Sequence, residues 1–221
     1  MRQVIVVVGA LPWLVAAGAA PVVVIEDWRS QAVGTPGIPS GWTGESFGRR
    51  AAYDFAIEDE GDRRVLHLTS RDEHSTITKD ISGTVVLRDT PILEWTWKAT
   101  VLPVGGDLRR AETTDFAAQL YVVWRRFPAL LRSRIIGYVW DSTAPVRTIA
   151  KSQKTGQVTF IVLRSGRAEL GQWLTERRNV AEDYERVFGE APENPAAIAI
   201  SIDSNDTHSV AESFLGSIQF R

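Results

Sequence analysis

Apolar and polar residues alternate along most of this chain with a period of two, the spacing at which successive side chains of a β-strand point to opposite faces. In "PILEWTWKATVL" (91–102), Leu93, Trp95, Trp97 and Ala99 fall on one side, and Glu94, Thr96 and Lys98 on the other. "YDFAIED" (53–59) puts Tyr53, Phe55 and Ile57 on one face. Gly61-Asp62 then separates it from "RVLHLTS" (64–70), a hairpin signal between two strand-like runs. The stretches 115–124, 134–140, 156–165, 196–203 and 214–220 carry the same signature. The pattern predicts a core that holds Trp95, Trp97, Leu120, Val122, Ile198 and Ile200.

One segment follows a different period. In "LTERRNVAEDYERVFGE", Val180, Tyr184, Val187 and Phe188 repeat at i, i+4, i+7 and i+8, which predicts a helix near 179–188. Asn179 can cap its start, and Gly189 with Pro192 can end it. "RRFPALLRSR" (125–134) offers a second, shorter helical turn. Loops rich in Gly and Pro, such as "VGTPGIPSGW" (33–42), and the long polar connection 103–114 separate the strands. Many short strands with one crossover helix predict a mainly β fold, an antiparallel β-sandwich of jelly-roll type. The helix is expected to pack across one sheet.

The beginning of the chain stands apart from this pattern. "MRQVIVVVGALPWLVAAGAA" reads as a secretory signal peptide: Arg2 gives a positive start, Val4 to Val15 an apolar run, and Ala17-Gly18-Ala19 a cleavage site. The expected division is a signal peptide over 1–19 and a single β-sandwich domain over 20–221. The apolar run is shorter than the roughly 20 residues that span a bilayer, so after cleavage the protein is expected not to be transmembrane but periplasmic or secreted. The 221 residues include no cysteine, which excludes a thiolate nucleophile and Cys-ligated zinc or iron–sulfur centres. A net charge of −2 gives no footprint of a nucleic-acid binder. The sequence sets no oligomeric state.

Four stretches in combination carry a resemblance: "LEWTWKATVLPVGGDLRRAETTDFAAQLYVVW", "GYVWDST", "WLTERRNVAEDYERVFGEAP" and "AISIDSNDTHSVAESFLGSIQF". Over roughly residues 24–221 the chain resembles an uncharacterised bacterial family, the domain of unknown function 3047. Many members of that family carry an export signal, but it has no established activity, so the resemblance implies a grouping and no mechanism. The closing Gly216-x-Ile218-x-Phe220 is also similar to the last strand of galactose-binding-like jelly rolls.

Candidate chemistry lies at four places. In "SIDSNDTH" (201–208), Asp203, Asn205 and Asp206 crowd a turn before the last strand. His208 and Phe214 occupy the positions where an EF-hand loop needs Gly and Glu, so that loop is excluded. Two readings stay open: a turn whose Asp and Asn side chains bond the backbone, or an irregular Ca²⁺ site. No cofactor motif is present otherwise, and a structural Ca²⁺ is the one cofactor these residues admit. Of the seven tryptophans beyond the leader, Trp42 and Trp173 lie among Gly, Ser, Gln and Arg, which makes them candidate ligand-binding platforms. Arg109 and Arg110 head an arginine-rich stretch that could line a site for anionic groups. Glu94, Asp115 and Asp141 are weak catalytic candidates, because no local motif ties any two together. His67, in "VLHLT", falls at a solvent-facing position.

These features point to an exported, non-catalytic domain that binds carbohydrate or another envelope polymer. Two alternatives stand beside it: an envelope glycan hydrolase or lyase using paired carboxylates, and a structural or assembly partner in the envelope.

Overall fold

The computed structural model describes residues 21–45 and 51–221, so the proposed leader at 1–19 lies outside the described residues. Strands follow the alternating segments closely. They are β1 (Val23–Glu26), β2 (Thr43–Glu45), β3 (Asp54–Glu60), β4 (Arg63–Arg71), β5 (His74–Asp80), β6 (Ile92–Val101) and β7 (Ala118–Trp124). A four-residue helix α1 (Ala129–Arg132) precedes β8 (Arg134–Asp141), β9 (Ile149–Lys151), β10 (Val158–Ser165) and β11 (Leu174–Asn179). Helix α2 (Val180–Phe188), β12 (Ala197–Asp203) and β13 (Val210–Phe220) complete the chain. The β3–β4 hairpin turns at Gly61, whose φ of 68° is a left-handed value that glycine adopts without a Cβ clash.

Two sheets face each other as a β-sandwich of jelly-roll type. The first has the order β11-β6-β13-β4-β3, with β1 also on β13; the second runs β2-β5-β12-β7-β8-β10-β9. All pairs are antiparallel except β8 and β10, which run parallel. The connection through β9 carries the chain back past β8 before β10 starts, a reversal that alternation cannot reveal because period two is the same in either direction.

The core between the sheets is aromatic. Trp95, Trp97, Leu120, Val122, Ile198 and Ile200 are all buried there, as the alternation predicts. Trp95 on one sheet meets Tyr138 on the other with ring centroids 5.3 Å apart, and Trp97 meets Trp140 at 6.2 Å. Offset aromatic pairs at such distances add to the area they bury. The second sheet is also covered on its outer side. The 103–117 connection lays Leu108 and Phe116 against Val139 of β8 and Phe160 and Val162 of β10, and every residue of β12 is buried as well.

Helix α2 starts where Asn179 accepts from the Glu182 N–H at 3.2 Å and ends at Gly189, φ 74°. It does not simply cross one sheet. Tyr184 packs on Trp124 of β7 (4.6 Å), while Asp183 accepts from Tyr138 of β8 (2.8 Å) and pairs with Arg178 of β11. Both sheets therefore hold it, which suits a segment that leaves the first sheet at β11 and enters the second at β12. No helix among the described residues is long and apolar enough to cross a membrane.

Candidate functional site

The outer face of the first sheet presents a row of large side chains. On β6 the core takes Trp95 and Trp97, so Lys98 falls on the opposite face, where its neighbours leave it 8% exposed. Lys98 pairs across with Phe214 of β13, and Phe214 with His67 of β4. Directly opposed residues on one face sit within side-chain contact distance. Trp173 immediately precedes β11, whose Leu174 pairs with Trp97, and this places the indole beside Lys98.

These neighbours form one connected platform. The His67 and Phe214 rings are parallel within 4°, with centroids 4.2 Å apart. Lys98 Nζ lies 4.1 Å from the Phe214 ring centre and 5.3 Å from that of Trp173, a cation between two π faces. Glu60 of β3 ion-pairs with Lys98 and accepts from Trp173 Nε1 at 3.1 Å. The Arg63 guanidinium lies 5.1 Å from the Trp173 ring centre. Beneath the indole, a Cβ on Gly216 would stand 2.2 Å from Thr96 Oγ1, so any larger residue there would displace that hydroxyl, while the Trp173 ring lies at ordinary contact distance.

Carboxylates border the row. His67 Nδ1 is 2.8 Å from Glu58 Oε1, and its Nε2 is 3.0 Å from Glu212 Oε1. Thr100 donates to the other Glu212 oxygen at 2.5 Å. That hydroxyl, ahead of the His67 contacts and the nearby Arg71 charge, holds the Glu212 carboxyl below the usual carboxylate range against the upward pull of burial. The two carboxylates meet opposite edges of one imidazole, so they do not converge on a common ion. Among the described residues no group of three or more His, Asp or Glu is placed to hold a metal.

Of the residues singled out from sequence, Trp173 alone joins the platform. Trp42 is a core residue, 6% exposed: it stacks on Trp28 at 5.6 Å and donates to buried Glu26 at 3.0 Å. Its loop looks open in sequence, but β1 folds over it. Arg109 and Arg110 lie in the connection over the second sheet, where Arg109 clasps Asp107 at 2.7 and 2.8 Å and, ahead of other causes, draws that carboxyl down to about 2. Neither arginine reaches the platform's sheet.

The three candidate acids do not share a site. Glu94 is outward on β6 but held by Gln219, Arg177 and Arg221; burial pushes its pKa up, and these partners outweigh it. Asp115 and Asp141 are fully buried, and burial raises both. Asp141 accepts from the N–H groups of Leu108, Thr143 and Ala144 at 2.6–3.0 Å. Asp115 accepts from the Asp206 and Thr207 N–H groups and the Thr207 hydroxyl. The oxygen-rich turn thereby has a structural account. Asp115 holds it from β7's approach, while Asp203 accepts from Phe116 N–H (2.6 Å) and Gln119 (2.9 Å). Asp206 pairs with Lys154, and Asn205 donates to Asp206 at 2.9 Å.

Comparison with known proteins supplies a grouping. The family model described as "Protein of unknown function (DUF3047)" matches residues 40–219. No curated protein matches the sequence. Among solved structures, a family 30 carbohydrate-binding module of a cellulosomal cellulase of Clostridium thermocellum superposes with TM-score 0.47 at 12% identity, covering 91% of this chain and 97% of that one. A xylan-binding domain from Paenibacillus barcinonensis gives 0.42 at 12%, covering 93% and 97%. The family 11 xylanase from Neocallimastix patriciarum gives 0.37 at 9%, covering 85% and 92%. Likeness at this level speaks neither for nor against a shared ligand.

Proposed function

Because the chain belongs to the DUF3047 family, which brings no assigned activity, we propose from the site itself that this domain binds a carbohydrate chain on the outer face of its first sheet, without cleaving it. The observation that carries this reading is the row Trp173–Lys98–Phe214–His67. It crosses four strands, three steps of about 4.8 Å each, or roughly 14 Å. That length suits an extended run of about three sugar rings. Half-buried aromatic bodies receive the apolar C–H faces of sugars, and the bordering Glu58, Glu60, Glu212 and Thr100 offer partners to hydroxyl groups. Cations and carboxylates alternate and are paired with one another, which favours a hydroxyl-rich ligand over a polyanion.

Non-catalytic binding fits better than hydrolysis. Glycoside cleavage requires two carboxyls flanking a bond with space between them. The imidazole of His67 occupies that space between Glu58 and Glu212, and Asp115 and Asp141 are buried with their oxygens engaged. Export through residues 1–19 would bring the domain to envelope polymers; N-terminal sequencing of periplasmic protein checks it.

Affinity electrophoresis through gels containing xylan or soluble β-glucan, with pull-down on peptidoglycan, tests the proposal. The wild type is expected to be retarded or captured by at least one polymer without product release. Trp173→Ala should weaken that binding by about 2 kcal/mol, roughly thirtyfold. Released oligosaccharide, or equal binding by Trp173→Ala, would reject the reading.

A further inference from the structure

His67 makes a pair of contacts that a neutral imidazole cannot make with two ionised carboxylates. Its Nδ1 and Nε2 lie 2.8 and 3.0 Å from oxygens of two different carboxylates, Glu58 and Glu212. A neutral ring has one N–H to donate and one bare lone pair. Set between two carboxylates, it would face one of them lone pair to lone pair. Both contacts become favourable when the ring carries protons on both nitrogens, or when one carboxyl is protonated. The trio therefore holds one proton more than a neutral ring and two carboxylates contain.

The surroundings fix this arrangement from every side. Phe214 of β13 stacks on the ring at 4.2 Å, and Thr100 of β6 pins the far oxygen of Glu212. The charged groups facing the trio are Glu58 and Glu60 of β3, Arg71 of β4, Lys98 of β6 and Glu212 of β13. Lys98 lies on the opposite side of Phe214 from the histidine row and pairs with Glu60, so it does not replace the proton between the two carboxylates.

We propose that Glu58, His67 and Glu212 form a proton-held latch of the glycan-binding face, closed at acidic pH and released as the pH rises. This rests on the platform reading above. With the proton in place, His67 backs Phe214 and orders both carboxylates at the border of the row. When it leaves, one carboxylate contact turns repulsive, and the border that meets the sugar hydroxyls loses its order. Histidine is the side chain whose charge changes between about pH 5 and 8, which sets the range in which the release is sought. The sign follows from linkage: the ordered face binds the proton more tightly, so it is favoured below the titration and lost above it.

Long-range ¹H–¹⁵N spectra of the histidine rings in the whole protein, recorded from pH 5 to 9 without glycan, read the latch directly. The expected result is a His67 ring protonated on both nitrogens at pH 7, and Glu58→Gln should move its titration to lower pH. Calorimetric titration with cellohexaose and xylohexaose over the same range should show affinity falling in step. A single neutral His67 tautomer at pH 6, with exposed His208 titrating in the same spectra, would overturn the latch whether or not a glycan binds. Doubly protonated His67 with pH-independent affinity would overturn it too. If neither oligosaccharide binds at any pH, the claimed control of affinity falls, while the platform reading is decided separately by the polymer tests and the ring spectra still report the proton by themselves.

Discussion

Two tryptophans in loop-like sequence do opposite work. Trp173 lies over Gly216 with its N–H on Glu60, half-buried at the surface, whereas Trp42 is sealed between Trp28 and Glu26. Trp42→Ala should therefore cost about 3–5 kcal/mol of stability, as for any buried large aromatic, while its effect on glycan binding per folded molecule stays small. Chemical denaturation alongside binding separates the two roles. Acid response is also set at single residues. Asp107 has its pKa drawn down to about 2 by Arg109, so its contribution is complete above the unfolded value near 3.9 and is lost as pH falls toward 2. Asp115 and Asp141 act in the opposite sense: raised by burial, they favour the fold below the unfolded value and lose that contribution as pH rises through their folded values. Asp107→Asn should flatten the fall in melting temperature between about pH 4 and 2. An unchanged acid limb would show that the Arg109 pair contributes nothing.

At the level of elements, the cap of α2 is a measurable joint between the sheets. Asn179→Ala removes the acceptor for the Glu182 N–H and should cost about 1 kcal/mol, a fall in melting temperature of roughly 2–4 °C. Thermal melts followed by circular dichroism check it. The elements themselves were readable in the sequence, because burying one face imposes period two on β6 and the i, i+4 stripe on α2. The candidate face was not. Lys98 and His67 fall on the polar faces of their own strands, and Phe214 alternates with the core residues Ile218 and Phe220 until a register shift between Leu215 and Ile218 turns it outward. Only the strand order β6-β13-β4 makes them neighbours, across separations of more than a hundred residues that no local pattern encodes. The parallel β8–β10 pair was hidden for a similar reason.

For the whole molecule, the two faces of the sandwich differ. The turn at 203–207 fastens loops over the second sheet through Asp115 and Asp203, and the outer face of the first sheet carries the half-buried Trp173, Phe214 and His67. We propose that this turn is held by hydrogen bonds and not by a cation. Melting midpoints in millimolar Ca²⁺ and in EDTA should then coincide, whereas a bound ion would raise the first by ligand linkage. The central claim concerns the outer face of the first sheet, and the most direct measurement is backbone amide chemical-shift mapping while an oligosaccharide of the bound polymer is added. Shifts clustered around His67, Lys98, Trp173, Glu212 and Phe214 are the predicted result. Shifts confined to the second sheet and its covering loops, with this row unmoved, would contradict it.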